Sequence, residues 1–191
     1  DRMCDPAAEV SAHYMIDEEG EVFRLVPEDL RAWHAGVSHW AGAMDINDRS
    51  IGIELVNPGH EFGYREFPEP QILSLETLAV DIMARHGIPA HRVLGHSDVA
   101  PTRKTDPGEL FDWRRLAKLG VGVWSDASSD KGSGDFQRTV HLLARYGYEV
   151  DETDPSLAII AFQRHFRPSR LDGEMDPETF SRLQDLCARF T

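Results

Sequence analysis

Residues 95–108 read GHSDVAPTRKTDPG and are the most informative stretch of this 191-residue chain. Because the stretch is rich in proline, glycine, serine and threonine, we expect an ordered loop and not a helix. On that loop His96 and Asp106 lie ten positions apart, and Lys104 lies two residues before the aspartate. A ring nitrogen and a carboxylate oxygen can bind one cation, and a nearby lysine can neutralise a developing oxyanion. The stretch therefore predicts metal-assisted hydrolysis.

The composition limits the class of protein. The formal net charge of −13 argues against nucleic-acid binding and against adsorption to anionic lipid, because both need a basic face. No apolar run approaches the roughly 18 residues of a membrane span. The only two cysteines, Cys4 and Cys187, form neither a disulfide framework nor a zinc-ribbon pattern. Because the chain starts at Asp1 and not at a methionine, we expect it to be processed or truncated at its N-terminus.

The chain divides at a small, polar segment, SDASSDKGSG, which is typical of a linker. The predicted parts are a first domain of residues 1–124, a linker of residues 125–134 and a second domain of residues 135–191. In the first domain the predicted strands cover residues 10–16, 22–26, 50–56 and 92–94, and the predicted helices cover residues 70–86 and 110–119. The first two strands form a predicted hairpin and the third is predicted to be central and buried. This pattern predicts an α/β domain with a mixed central sheet flanked by helices.

The second domain is predicted to be small and all-α. Three apolar stripes at helical spacing follow one another, and two of them begin at an Asp-Pro pair that is typical of a helix start. Fifty-odd residues make a marginal core on their own. A binding module is the functional interpretation, and a dimerisation bundle or a packing appendage is the structural one.

Glu54 is the second candidate for chemistry. It lies in the apolar segment IGIEL, where a carboxylate is costly unless it is paired or placed at a functional site. A buried ion pair is the structural alternative. Beside the loop of His96, Lys104 and Asp106 we favour catalysis, in which the carboxylate takes a proton from water and passes it to the leaving amine.

A third cluster combines aromatic rings with imidazoles. Trp33 and His34 stand next to a glycine, and Asn47 follows closely. Such residues suit a sugar–peptide groove, whereas a surface histidine beside a core tryptophan is the structural alternative. The remaining histidines are predicted to be structural, with His13 the most open to another role; they are His13, His60, His86, His91, His141 and His165.

Two separated motifs carry a family resemblance. Residues 33–57, WHAGVSHWAGAMDINDRSIGIELVN, together with residues 95–108, resemble the zinc-dependent N-acetylmuramoyl-L-alanine amidases of the amidase-2 type. That fold is shared with the animal peptidoglycan recognition proteins, and the resemblance covers residues 10–124. The tail, through AFQ and LDGEMDPETFSRL, is similar to the three-helix peptidoglycan-binding domain.

The resemblance implies a role for each matching residue. His96 and Asp106 would bind zinc, Lys104 would stabilise the tetrahedral oxyanion, and Glu54 would activate water. The positions that it places along the muropeptide groove are Trp33, His34 and Asn47.

One feature departs from the family pattern. The family has a further zinc-binding histidine on a strand ahead of the segment that here reads VSAHYMI, and DRMCDPAAE contains no histidine. Loss of that first strand is the expected explanation, and His13 and His34 are the alternatives within the chain. With two ligands the metal would be held weakly.

The resemblance implies a zinc-dependent hydrolase that cleaves the amide bond between N-acetylmuramic acid and L-alanine in peptidoglycan or muropeptides. The alternatives are a non-catalytic peptidoglycan-recognition protein and an amide hydrolase with a substrate outside the wall. The tail favours the periplasm or cell envelope over a cytoplasmic recycling role.

Overall fold

The computed structural model describes residues 10–129 and 135–190, so Cys4, the first nine residues of the predicted first domain and half of the predicted linker lie outside it. Strands and helices are mixed in residues 10–124, and the elements of residues 135–190 are all helices. The strands are β1 (Tyr14–Ile16), β2 (Val22–Arg24), β3 (His39–Trp40), β4 (Ala43–Met44) and β5 (Ile53–Leu55). The helices are α1 (Gly59–Phe62), α2 (Glu69–His86), α3 (His96–Val99), α4 (Trp113–Ala117), α5 (Phe136–Tyr146), α6 (Ser156–Phe166) and α7 (Pro177–Phe190).

The main sheet is mixed, as predicted, with strand order β2-β1-β5. β1 pairs antiparallel with β2, which confirms the hairpin, and parallel with β5. The prediction that residues 50–56 form the central strand is wrong for the described residues, because β1 lies between the other two strands. The burial agrees, since Tyr14 and Ile16 of β1 are buried and β5 is only partly covered.

Two further local predictions are corrected. Residues 92–94 form no strand; a 3-10 turn covers Ala90–Arg92, and Val93 is extended but pairs with no strand of the described residues. Without a partner an extended segment makes no ladder hydrogen bonds. The predicted loop at residues 95–108 instead opens with the single helical turn α3.

Helix α2 matches its prediction closely and supports the sheet. It ends at Gly87, whose left-handed φ of 63° is the usual helix terminator. Its apolar face, including Ile72 and Leu75, packs with Ile16 of β1 and Leu116 of α4 in one core. No helix in the described ranges is long and apolar enough to cross a membrane.

The three C-terminal helices are confirmed, but they share a core with the first part of the chain. Trp40, Val99 and Val123 are buried in the same cluster as Leu143 and Phe162. Val99, at the C-terminal end of the single-turn helix α3, therefore packs against the C-terminal helices. Through this contact the C-terminal helices support the start of the segment 95–108.

Candidate active site

His96 and Asp106 meet at the start of α3. The Nδ1 atom of His96 lies 3.0 Å from Oδ2 of Asp106, and its Nε2 atom lies 3.0 Å from the carbonyl oxygen of Ala35. A carbonyl oxygen only accepts, so Nε2 carries a proton and donates it. In the neutral ring, the Nδ1 lone pair then faces a carboxylate oxygen. The contact can therefore be closed in two ways: by a proton on Nδ1, which makes an ion pair with Asp106, or by a cation that both atoms bind.

Backbone contacts and charge fix Asp106 in this position. The backbone N–H of Ser97, in the first turn of α3, donates to the carbonyl oxygen of Asp106 at 2.9 Å. Burial raises the pKa of the Asp106 carboxyl, but the hydrogen bond and charge of His96 and the Lys104 ammonium outweigh it and hold the pKa below its usual range. The carboxylate is therefore ionised and ready to bind a cation at neutral pH.

Glu54 belongs to the same electrostatic neighbourhood. It sits on β5, opposite Met15 of β1. Burial raises its pKa, the Asp106 carboxylate raises it further, and the charges of His96 and Lys104 partly offset this rise. The charges of His96, Lys104 and Asp106 thus act on the Glu54 carboxyl, and these residues come from two separate motifs.

His34 packs against the backbone of the segment that leads to β5. A Cβ atom added to Gly52 would lie 2.2 Å from Cγ of His34, so only glycine leaves room for the ring. Burial lowers the pKa of His34 to about 4, helped by the charges of His13 and His96. At neutral pH His34 is therefore an uncharged imidazole at the edge of the site.

His13 has the structural role predicted by default. It is 1% exposed, its Nδ1 atom accepts from the Gly52 N–H at 3.0 Å, and its Nε2 atom lies 3.0 Å from the Leu30 carbonyl oxygen. Both ring nitrogens are engaged with backbone groups. This arrangement leaves no nitrogen of His13 for a metal.

Asn47 and Trp33 lie in different surroundings. Asn47 is 3% exposed, and its Oδ1 atom accepts from the N–H groups of His34 at 3.0 Å and Ala35 at 2.8 Å. Trp33 is 51% exposed, and the Arg31 guanidinium lies 4.1 Å from its ring centroid. Asn47 therefore fixes the backbone of residues 34–35 through buried hydrogen bonds, and Trp33 presents an aromatic ring at the surface.

The side chains of His96 and Asp106 carry the types of donor atom that bind zinc in proteins. Imidazole nitrogen and carboxylate oxygen are both common zinc ligands, and a histidine ligand usually donates its other N–H to a carbonyl or carboxylate. His96 makes this second contact with Ala35. Within the residues that the structure describes, no third His, Cys, Asp or Glu completes a group of three around a metal.

Sequence reasoning missed two residues that support the site. The Arg103 guanidinium donates to the carbonyl oxygens of Ala35 at 2.6 Å and Val37 at 2.8 Å. Asp98 is completely buried and accepts hydrogen bonds from the C-terminal part of the chain. Asp98 lies two residues after His96 in the GHSD motif. Its position just before the apolar residues Val99 and Ala100 is the sequence feature that could have indicated a buried carboxylate.

Comparisons with known proteins give matches that agree with one another. The model of the N-acetylmuramoyl-L-alanine amidase family (Amidase_2) matches residues 1–109. The N-acetylmuramoyl-L-alanine amidase AmiD of Escherichia coli K12 is 40% identical over 207 residues, covering 95% of this chain and 75% of AmiD. The 1,6-anhydro-N-acetylmuramyl-L-alanine amidase AmpD of Citrobacter freundii is 42% identical over 110 residues, covering 58% of this chain and 57% of AmpD.

Solved structures show the same likeness. The complex of E. coli AmiD with anhydro-N-acetylmuramic acid-L-Ala-D-γ-Glu-L-Lys superposes with a TM-score of 0.88 at 38% identity, covering 98% of this chain and 82% of that one. AMPDH3 from Pseudomonas aeruginosa in complex with an anhydromuramic pentapeptide gives a TM-score of 0.83 at 36% identity, covering 94% and 82%. Both likenesses extend over the C-terminal helices as well as the sheet.

Proposed function

Because this chain belongs to the Amidase_2 family of N-acetylmuramoyl-L-alanine amidases, we propose that it hydrolyses muropeptides with a Zn²⁺ ion held in part by His96 and Asp106. The bond cleaved by this class is the amide between N-acetylmuramic acid and L-alanine. One observation carries the proposal: the His96 Nδ1 atom and the Asp106 carboxylate face each other at 3.0 Å, within the electrostatic reach of Glu54 and Lys104. A bound Zn²⁺ would supply Lewis acidity to water and to the scissile carbonyl.

Glu54 is the general base in this proposal. A base works best when its pKa is close to the working pH, and burial moves the pKa of Glu54 in that direction. Its carboxylate takes a proton from the attacking water and delivers it to the nitrogen of the departing L-alanine. The same side chain therefore serves as base in the first step and as acid in the second.

Lys104 stabilises negative charge on the carbonyl oxygen. Its ammonium lowers the pKa values of both Glu54 and Asp106, so its positive charge is felt at the reacting centre. An ammonium fixed before the reaction stabilises the developing oxyanion without reorganisation.

The residues around this centre have two proposed roles. Some line the substrate groove, and one fixes the backbone that carries them. We assign the groove to the ring of Trp33, which is about half exposed, and to the neutral imidazole of His34. Asn47 contributes by fixing the backbone of residues 34–35. An aromatic ring can contact the apolar face of a sugar, and a neutral imidazole can form a hydrogen bond with a polar group of the substrate.

The related structures support a proposal for the substrate. AmiD and AMPDH3 were solved with anhydromuramic peptides, so we propose that this chain accepts anhydro-muropeptides. We assign residues 1–124 to the amidase domain, residues 125–134 to a linker and residues 135–191 to a peptidoglycan-binding domain. A polymeric wall ligand favours the periplasm or cell envelope, and a cytoplasmic recycling role is the alternative.

The decisive experiment measures release of the stem peptide. The full chain, dialysed against a chelator and then supplied with Zn²⁺, is incubated with a soluble anhydro-muropeptide, and the products are identified by mass spectrometry. We expect cleavage at the lactyl–alanine amide that depends on added zinc, is lost in Glu54→Gln and is retained in Glu66→Gln, an exposed glutamate outside this set. Binding of the muropeptide without release would instead identify a non-catalytic recognition protein.

A further inference from the structure

We propose that Asp98, Tyr148 and His165 are positioning residues, through which the C-terminal helices hold the active site in its working geometry. The inference rests on the proposed function of His96 and Asp106. It assigns to the C-terminal segment a role in catalysis that is separate from binding of the wall.

Asp98 forms a buried polar link between the two parts of the chain. It is completely buried in α3, and its Oδ1 atom accepts from the Tyr148 hydroxyl at 2.6 Å. Its Oδ2 atom accepts from the His165 Nδ1–H at 2.8 Å and from the Gly95 N–H at 2.7 Å. A buried carboxylate is costly unless such donors compensate for lost hydration, and two of these three come from the C-terminal segment.

The ring of His165 is held so that this hydrogen bond points at α3. It is 2% exposed and lies between Trp113, at 3.8 Å between centroids, and Phe166, at 3.9 Å. Its Nε2 atom is buried and has no hydrogen-bond partner among the described residues. The contact with Asp98 is therefore the polar anchor of the ring within that part of the chain.

Helix α3 depends on such external contacts because it is very short. A single helical turn fixes several backbone angles for few hydrogen bonds and is unstable alone. The turn begins at His96, and its Ser97 N–H holds the carbonyl oxygen of Asp106. A shift of α3 would therefore move both proposed metal ligands together.

The first test measures the opening of α3 by hydrogen–deuterium exchange in the metal-free full chain. His165→Phe keeps a flat ring between Trp113 and Phe166 but removes the donor to Asp98. We expect amides of residues 97–100 to exchange at least about tenfold faster, since local opening sets the rate. Tyr148→Phe, which removes only a hydroxyl, is the second variant and should act in the same direction.

Gln163→Leu provides the matched control. Gln163 is also completely buried on α6, but among the described residues its side chain forms hydrogen bonds only with Asp172, Gly173 and Glu174. We expect this variant to accelerate exchange at residues 172–174 and to leave residues 97–100 within about twofold of the wild type.

The second test measures the site itself with a soluble anhydro-muropeptide, so that wall binding plays no part. For His165→Phe and Tyr148→Phe we expect kcat to fall and the Kd for Zn²⁺, measured by chelator competition, to rise by about tenfold, with KM nearly constant. Gln163→Leu should retain both values. Unchanged exchange at α3, or faster exchange with kcat and the Zn²⁺ Kd unchanged, would overturn the proposal.

Failure of the proposed function has a different signature. If the wild-type chain neither cleaves the muropeptide nor binds Zn²⁺, the amidase mechanism fails. The exchange of the Ser97 amide, which reports on the contact with Asp106, then decides alone whether the C-terminal helices position this pair.

Discussion

The Nε2 atom of His96 lies 3.0 Å from the backbone carbonyl oxygen of Ala35, and this contact decides which ring nitrogen faces Asp106. It also joins the two sequence motifs, which are 61 positions apart at these residues. The same carbonyl oxygen accepts from Arg103, and the Ala35 N–H donates to Asn47. The orientation of the proposed metal ligand is therefore set by a backbone group that two side chains, Arg103 and Asn47, hold in place.

Asn47→Ala should weaken both the fold and the site. The substitution leaves the N–H groups of His34 and Ala35 without their acceptor, and each unsatisfied buried donor costs about 1–3 kcal/mol. We expect a lower free energy of unfolding in urea and a kcat about 10- to 100-fold lower, as for other residues behind a metal ligand. Asn57→Ala, which removes hydrogen bonds to Arg65 and Gly59, is the control and should keep its kcat. A normal kcat in Asn47→Ala would restrict Asn47 to a purely local role.

The sequence draws attention to the candidate catalytic and metal-binding residues more readily than to the residues that support them. His96, Lys104 and Asp106 lie close together along the chain, and Glu54 is conspicuous as a carboxylate in an apolar segment, so residue type and spacing were enough to select them. Asn47 was assigned to the groove because an amide near a tryptophan and a histidine looks the same in sequence whether it faces a ligand or the backbone.

The elements that sequence could not predict depend on distant partners. Residues 92–94 have strand character, but a strand exists only where another segment pairs with it, and none does so in the described ranges. The hydrogen bond between Asp98 and His165 joins residues 67 positions apart, and no local sequence pattern predicts it. The predicted separation of two domains likewise could not reveal that Val99 and Phe162 share one core.

Glu54→Gln should separate catalysis from stability. Loss of a general base typically costs about 100- to 10,000-fold in rate, and the isosteric amide should leave KM nearly unchanged. Because the pKa of Glu54 is raised in the folded chain, its contribution to stability is present below the ordinary value of 4.5 and is lost as pH rises through the raised value. Glutamine does not titrate, so the stability of the variant relative to the wild type should increase from pH 4 to pH 7. Urea unfolding at several pH values measures this, and a stability relative to the wild type that does not rise between pH 4 and pH 7 would contradict it.

Lys104→Met should lower kcat and also move its pH dependence. The variant keeps much of the aliphatic chain and loses the charge, and the loss of one oxyanion-stabilising group costs about 100- to 1,000-fold in kcat. The Lys104 ammonium lowers the pKa of Glu54, so its removal should shift the acidic limb of the kcat profile to higher pH. Lys118→Met, at a position outside this set, should leave both unchanged. A fall in kcat without a shift of the acidic limb would place Lys104 farther from Glu54 than the structure does.

Gly52→Ala should disturb His34 through direct contact. The new Cβ atom would lie 2.2 Å from Cγ and 2.5 Å from Cδ2 of the ring, which real atoms do not tolerate, so the ring or the backbone must move. Overpacking of this kind typically costs about 1–3 kcal/mol, and we expect a comparable loss in the free energy of unfolding together with a lower kcat.

The double variant Gly52→Ala/His34→Ala tests the cause, because it removes the ring that the methyl group meets. If the clash with His34 is the origin of the effect, the two substitutions are not additive, and the double variant should be more stable than the sum of the single effects predicts. Additive losses would show instead that the alanine acts through the hydrogen bonds of the Gly52 backbone to His13 and Tyr14. Since a methyl group leaves the φ and ψ angles at Gly52 accessible, outside the left-handed region, we expect the first result.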